Sequence, residues 1–136
     1  MKVPDIVCKI ETYAAVNPSE DPEKIRVAVS NVISNTNYDY KDGSIKAVSR
    51  DLHSLSKIKE TIQKRKVNRV YRRQMRYNTK GDTTWFYLNK QAAYANVIAI
   101  CDEAEESPMG PIKIIIHCED LEKVVDWLAP EFVDVD

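Results

Sequence analysis

The chain has 136 residues, 43% of them apolar and 30% charged, with 3 Gly and 6 Pro, which is the balance of one globular domain and excludes a disordered or fibrous chain. No apolar run approaches the roughly 20 residues that span a bilayer, and the opening Met1-Lys2-Val3-Pro4-Asp5 lacks the apolar core of a secretory signal; no membrane association and a cytoplasmic location are therefore expected. The net charge of −1 conceals two stretches of opposite sign.

In chain order, Ile6 to Val16 alternates as a strand does, and Asn17-Pro18-Ser19-Glu20-Asp21-Pro22 stops it. Asp21 is placed as an N-cap with Pro22 at the first helical position. The helix, to about Ser34, carries Ile25, Ala28, Val29, Val32 and Ile33 on one face. Asn35 to Gly43 reads as a polar turn and Ser44 to Ser49 as a short strand. Asp51 then caps a second helix with Leu52, Leu55, Ile58 and Ile62 as its stripe and a basic opposite side. The third helix, Asn68 to Tyr77, sets Val67, Val70, Tyr71 and Met75 against Arg69, Arg72, Arg73 and Arg76. The arginines stand at i, i+3, i+4 and i+7, so all four are expected to point outward from one face.

After Gly81 the pattern gives a strand from Thr83 to Asn89, a short helix or turn around Lys90 to Tyr94, and a strand from Val97 to Cys101. An acidic loop follows, then an apolar strand, Pro111 to Cys118, with Ile112, Ile114 and Ile116 on one face. The closing helix, Glu119 to Leu128, turns Leu121, Val124, Val125 and Leu128 inward and stops at Pro130. This order predicts a single α+β domain over 1–136, a mostly antiparallel sheet with helices packed on one face. Trp85 and Tyr87 alternate with Phe86 and Leu88, so one pair looks outward, either to stack on bases or to meet a second copy of the chain. The second copy is preferred, which makes a homodimer through the exposed sheet face an expectation.

Counted along the chain, charge is bipolar. Lys57 to Lys80 holds ten basic residues against Glu60 alone, and Cys101 to Asp136 holds eleven carboxylates against Lys113 and Lys123. Soluble helices ordinarily mix their signs, and the planar guanidinium fork matches phosphate bidentately. The basic stretch is thus a candidate RNA-phosphate site made of Lys64, Arg65, Lys66, Arg69, Arg72, Arg73, Arg76 and Lys80. Alternatives are a solvated surface, an acidic protein surface, a membrane surface, or this chain's own acidic half in a dimer. Asn89, Lys90 and Gln91, at the end of the aromatic strand, are a second polar cluster that could reach a base edge or phosphate, or could simply cap a helix.

Catalytic motifs are missing. There is no phosphate-binding glycine loop, dinucleotide fingerprint or His-Glu-x-x-His pattern. Cys8, Cys101 and Cys118 are far apart and read as buried thiols, and His117 and Cys118, being adjacent on a strand, point to opposite faces. An enzyme would need a concave pocket of convergent polar groups around His53, His117 or Cys118. No catalytic residue, metal site or cofactor is expected.

Phe86-Tyr87-Leu88-Asn89-Lys90-Gln91-Ala92-Ala93-Tyr94, followed by Glu106-Ser107-Pro108-Met109-Gly110-Pro111-Ile112, resembles the archaeal uncharacterised protein family 0201. Pro18 to Lys24 and Asp126-Trp127-Leu128-Ala129-Pro130 extend the resemblance over most of the chain, while Asn96 stands where the family pattern has glycine. The resemblance implies RNA binding, a fold similar to that of large-subunit ribosomal protein five, and no catalytic residues to carry over.

Overall fold

The structure, a computed structural model, describes residues 2–34 and 36–131. Asn35 of the expected polar turn and the carboxylates Asp134 and Asp136 lie outside the described residues.

Eight residues of alternating burial, Cys8–Ala15, form β1, whose inward Cys8, Ile10, Thr12 and Ala14 are buried. Asp21 accepts from the amide of Glu23 and, with Pro22 leading, starts α1 (Pro22–Ser30). The helix ends four residues before the expected Ser34, yet Val32 and Ile33 are still buried in the turn beyond it. The expected polar turn is mostly a strand. Asn37–Lys41 forms β2, paired with β3 (Ser44–Ser49) through Asp42-Gly43, both at positive φ (53° and 74°). That two-residue turn matches the twist of the flanking strands. The β2 residues alternate polar and tyrosine, Asn37-Tyr38-Asp39-Tyr40-Lys41, but at this sheet edge Tyr40 stays exposed and Tyr38 is half-buried, its hydroxyl donating to the Ile33 carbonyl.

Asp51 accepts from the amide of His53, but it caps a 3₁₀ turn, Leu52–Leu55, that precedes α2 (Ser56–Arg65). The Ser54 hydroxyl turns back onto the Asp51 carbonyl, and the Ser54 carbonyl takes the amide of Ser34. Lys66, at φ 56°, reverses the chain in the left-handed region, and α3 (Asn68–Tyr77) follows. Then come β4 (Thr83–Leu88), α4 (Lys90–Tyr94), β5 (Ile100–Cys101), β6 (Ile112–Cys118) and α5 (Leu121–Leu128). β5 is shorter than the expected Val97–Cys101, since the amide of Val97 and the carbonyl of Ala99 are taken by the ends of α4. Asn96 sits at φ 64°. Asparagine is among the few residues other than glycine that tolerate this region, so the turn is made without a glycine.

The six strands form one antiparallel sheet in the order β2-β3-β1-β6-β4-β5. Its inner face, with Ile10, Ile45, Phe86, Ile114 and Ile116, is buried with Ile25, Val29, Leu55, Ile58, Tyr71, Val124 and Leu128 of the helices. Tyr71 of α3 meets Phe86 of β4 edge to face, their ring centroids 5.4 Å apart. The architecture is α+β, with the helical layer on one face and the other face bare. Among the described residues no helix is long and apolar enough to cross a membrane.

Candidate nucleic-acid interface

Among the candidate contacts of α2 and α3, burial and ion pairing separate three groups, while Lys57 and Lys59 of α2 donate to the carbonyls of Ser30 and Trp127. Lys64, Arg65, Lys66 and Arg69 are exposed at the α2–α3 corner, and among the described residues none has an ion-pair partner. Arg73 and Arg76 are also exposed, but each leans on a carboxylate of the acidic half, Asp102 at 3.7 Å and Glu122 at 3.4 Å. Arg72 is different. It is buried, and its Nη1 donates to Asp126 Oδ1 and to the Ala129 carbonyl, both at 2.9 Å.

The expectation of four outward guanidinium groups is therefore corrected at Arg72. The buried stripe of α3 is Asn68, Tyr71, Arg72 and Met75, an i, i+3, i+4, i+7 set that shares position 72 with the arginine stripe. A residue on the boundary of two stripes goes where its head finds acceptors, and the end of α5 supplies them. Arg69, Arg72, Arg73 and Arg76 still border one hollow of about 290 Å³ with Glu131. The bipolar charge of the sequence thus closes partly on itself within one chain, and the acidic half meets the arginine helix without a second copy.

Lys80 is exposed in the turn between α3 and β4, its ammonium 5.7 Å from the ring centre of Trp85. Asn89 accepts the amide of Ala92 and is the N-cap of α4. Lys90 does not reach the surface. It is 1% exposed, and its ammonium donates to the Ala15 carbonyl, to Glu20 and to the Met109 carbonyl, each at 2.8 Å. Three acceptors exhaust its three donors, so this lysine ties the end of β1 and the loop after it to the loop before β6 and is withdrawn from the candidate contacts. Gln91 donates to the Pro108 carbonyl. The cluster read as a polar site is a cap and a clamp, and the clue in the sequence was the short interval to Ser107-Pro108-Met109.

Glu20 faces Lys90. Burial by itself would raise the Glu20 pKa, but hydrogen bonds from Lys90 and Asn17 outweigh it and hold the carboxyl below its ordinary value. His53 is exposed beside Asp51. His117, on the bare face of the sheet, meets Glu11 Oε1 at 2.6 Å and Thr83 Oγ1 at 2.9 Å. Cys118 lies buried on the other face, opposite Cys8, so His117 and Cys118 do diverge as alternation requires. Among the described residues no group of His, Cys, Asp and Glu is arranged to hold a metal ion.

The outward aromatic pair on β4 is Trp85 and Tyr87, with Phe86 and Leu88 buried. Strand register brings a row of residues together that the sequence scatters: Lys46 opposite Tyr13, Tyr13 opposite Lys113, and Lys113 opposite Tyr87. Lys113 lies 4.9 Å from the Trp85 ring centre and 5.9 Å from that of Tyr87, and Lys46 lies 5.3 Å from that of Tyr13. Sequence reasoning missed Tyr13, Lys46 and Lys113, which only strand pairing makes neighbours. Their one signal was that each alternates with buried residues on its own strand.

A family model described as RNA binding matches residues 9–118. The chain is 38% identical over 125 residues to a UPF0201 protein of Metallosphaera sedula, covering 90% of this chain and 87% of that protein. It is 33% identical over 123 residues to a UPF0201 protein of Methanothermobacter thermautotrophicus, covering 90% and 92%. Among solved structures, a UPF0201 protein from Methanococcus jannaschii superposes with a TM-score of 0.76 at 25% identity, covering 91% of this chain and 94% of that one. Another UPF0201 crystal structure reaches a TM-score of 0.80 at 24% identity, covering 93% and 96%, a likeness of fold.

Proposed function

The chain belongs to the archaeal UPF0201 family, matched by a model described as RNA binding, and from that premise we propose that it binds RNA, through the basic corner of α2 and α3, without catalysing a reaction. The observation that supports the reading most directly is the cluster of Lys64, Arg65, Lys66 and Arg69, four exposed cations without a carboxylate partner among the described residues. Exposed charges that find no partner in their own fold leave a local positive potential that attracts a polyanion. Arg73, Arg76 and Lys80 extend it, since the exposed contacts of Arg73 and Arg76 with Asp102 and Glu122 are loose and contribute little. Phosphate oxygens compete for the same guanidinium donors.

A salt titration tests this. Each phosphate neutralised on single-stranded RNA contributes about −0.7 to the slope of log affinity against log salt. Changing Lys64, Arg65, Lys66 and Arg69 together to alanine reduces the slope by roughly 2 to 3 if all four touch phosphates. An unchanged slope would move the site elsewhere on the molecule. Binding of an acidic protein in place of RNA would transfer the segment to the protein-partner reading.

A further inference from the structure

The bare face of the sheet carries an arrangement that meets the basic region at Lys80 and otherwise uses none of its residues. Directly opposed residues of antiparallel strands project from the same face, neighbouring strands lying about 4.8 Å apart. The row Lys46, Tyr13, Lys113 and Tyr87 therefore crosses β3, β1, β6 and β4 as cation, ring, cation, ring. Trp85 adds a third ring two residues along β4, and Lys80 closes over it from the turn. Three aromatic rings are half-buried here, and each has a lysine ammonium within 6 Å of its centre.

Resting on the RNA-binding reading and making it more specific, we infer that this face is a stacking platform for unpaired bases of single-stranded RNA. Tyr13, Trp85 and Tyr87 take bases, and Lys46, Lys80 and Lys113 take the phosphates between them. Aromatic side chains bind bases of any sequence through their faces, and a positive groove beside them follows the backbone. Paired bases cannot reach such rings, so the platform selects single strands.

Charge decides between this occupant and a second copy of the chain. Lys9, Lys46, Lys80 and Lys113 stand on or beside this face with the carboxylates Glu11 and Asp39. Glu11, half-buried on the same face, is held by His117 and the Tyr13 hydroxyl and lies 3.9 Å from Lys9 and 3.8 Å from Lys46, so one carboxylate is shared by two of the four lysines. A symmetric contact would press this patch on its own image and bury lysine against lysine, whereas the centres of protein–protein interfaces are depleted of lysine. Phosphate satisfies the same lysines.

The experiment titrates the full chain with a single-stranded oligouridylate, a single-stranded oligoadenylate and a duplex RNA. It reads fluorescence anisotropy of the labelled RNA together with tryptophan emission in a Trp127→Phe background, where Trp85 is the remaining tryptophan. The expected result is quenching of Trp85 by both single strands, and a loss of at least about tenfold in their affinity in Trp85→Ala/Tyr87→Ala. Trp85→Phe, which keeps a ring, retains most of the affinity, and Lys113→Gln weakens binding without touching the rings. Circular dichroism of each variant checks the fold.

RNA binding with no change in Trp85 emission, and undiminished in both the double-alanine and the Lys113→Gln variants, would overturn the platform and leave the basic corner standing. Absence of any RNA binding at about 50 mM salt, where phosphate contacts are strong, would overturn both. A dimer in sedimentation that Trp85→Ala/Tyr87→Ala dissociates would give the face to a second copy and overturn the platform alone.

Discussion

Replacing Arg72 by alanine separates a fold residue from the ligand-facing arginines beside it. Two charge-assisted hydrogen bonds disappear, one to Asp126 and one to the Ala129 carbonyl. The first is worth little to stability, because the Asp126 side chain is 57% exposed and regains water. The second leaves a buried carbonyl without its donor, at a cost of about 1–3 kcal/mol, and the vacated guanidinium and its stem remove packing at the end of α5. The total is roughly 2–4 kcal/mol, which for a domain of this size lowers Tm by about 8–15 °C. Urea unfolding followed by circular dichroism measures it. Asp126→Asn, which keeps an acceptor, is expected to lose less than about 1 kcal/mol, and Arg69→Ala to stay within about 0.5 kcal/mol of wild type. An Arg72→Ala protein as stable as wild type but deficient in RNA binding would refute the assignment and return Arg72 to the ligand face.

Two further predictions concern titratable groups inside the fold. Burial pushes upward on the Glu11 and Glu20 carboxyls, but hydrogen bonds from Tyr13 and His117 in one case, and from Lys90 and Asn17 in the other, hold both below the ordinary 4.5. A carboxyl depressed in the folded state stabilises it fully above the unfolded pKa and loses that contribution as pH falls through the folded one. Stability measured by urea midpoint is thus expected to be flat above about pH 5.5 and to decline below about 4.5, with a shallower decline in Lys90→Met, which removes the Lys90 share of the Glu20 contribution and leaves that of Asn17; an acid limb unchanged by Lys90→Met would contradict the clamp. Burial, with Cys118 beside it, pushes the Cys8 thiol up to about 12, so thiolate is scarce at neutral pH. Iodoacetamide at about pH 8 should leave Cys8 unmodified in the native protein and alkylate it in urea, as mass spectrometry would show; rapid native labelling would mean the β1–β6 end opens.

Local signals in the chain were strong wherever one face of an element is buried. Asp21-Pro22 specified the start of α1, the alternation of Ile112, Ile114 and Ile116 specified β6, and the run from Asn68 to Tyr77 gave both ends of α3. The β2 strand escaped because its alternation rests on two tyrosines among turn-forming Asn and Asp residues, at an edge that buries little, and the 3₁₀ turn at Leu52–Leu55 escaped because its stripe continues into α2 without a break.

Residue type and period along single elements were enough for the α+β class, for a strand β4 that turns one of its two alternating pairs outward, and for the concentration of cations in α2 and α3, while burial of Phe86 and Leu88 in the fold decided that the outward pair is Trp85 and Tyr87. Only the tertiary structure decided which cations remain available. Arg72 turned inward because α5 offers Asp126 and the Ala129 carbonyl to a residue on the boundary of two helical stripes, and Lys90 was drawn inward by acceptors from residues 15, 20 and 109, far from it in the chain. Tyr13, Lys46 and Lys113 became one row with Tyr87 only through strand register, a long-range pairing that no local pattern encodes.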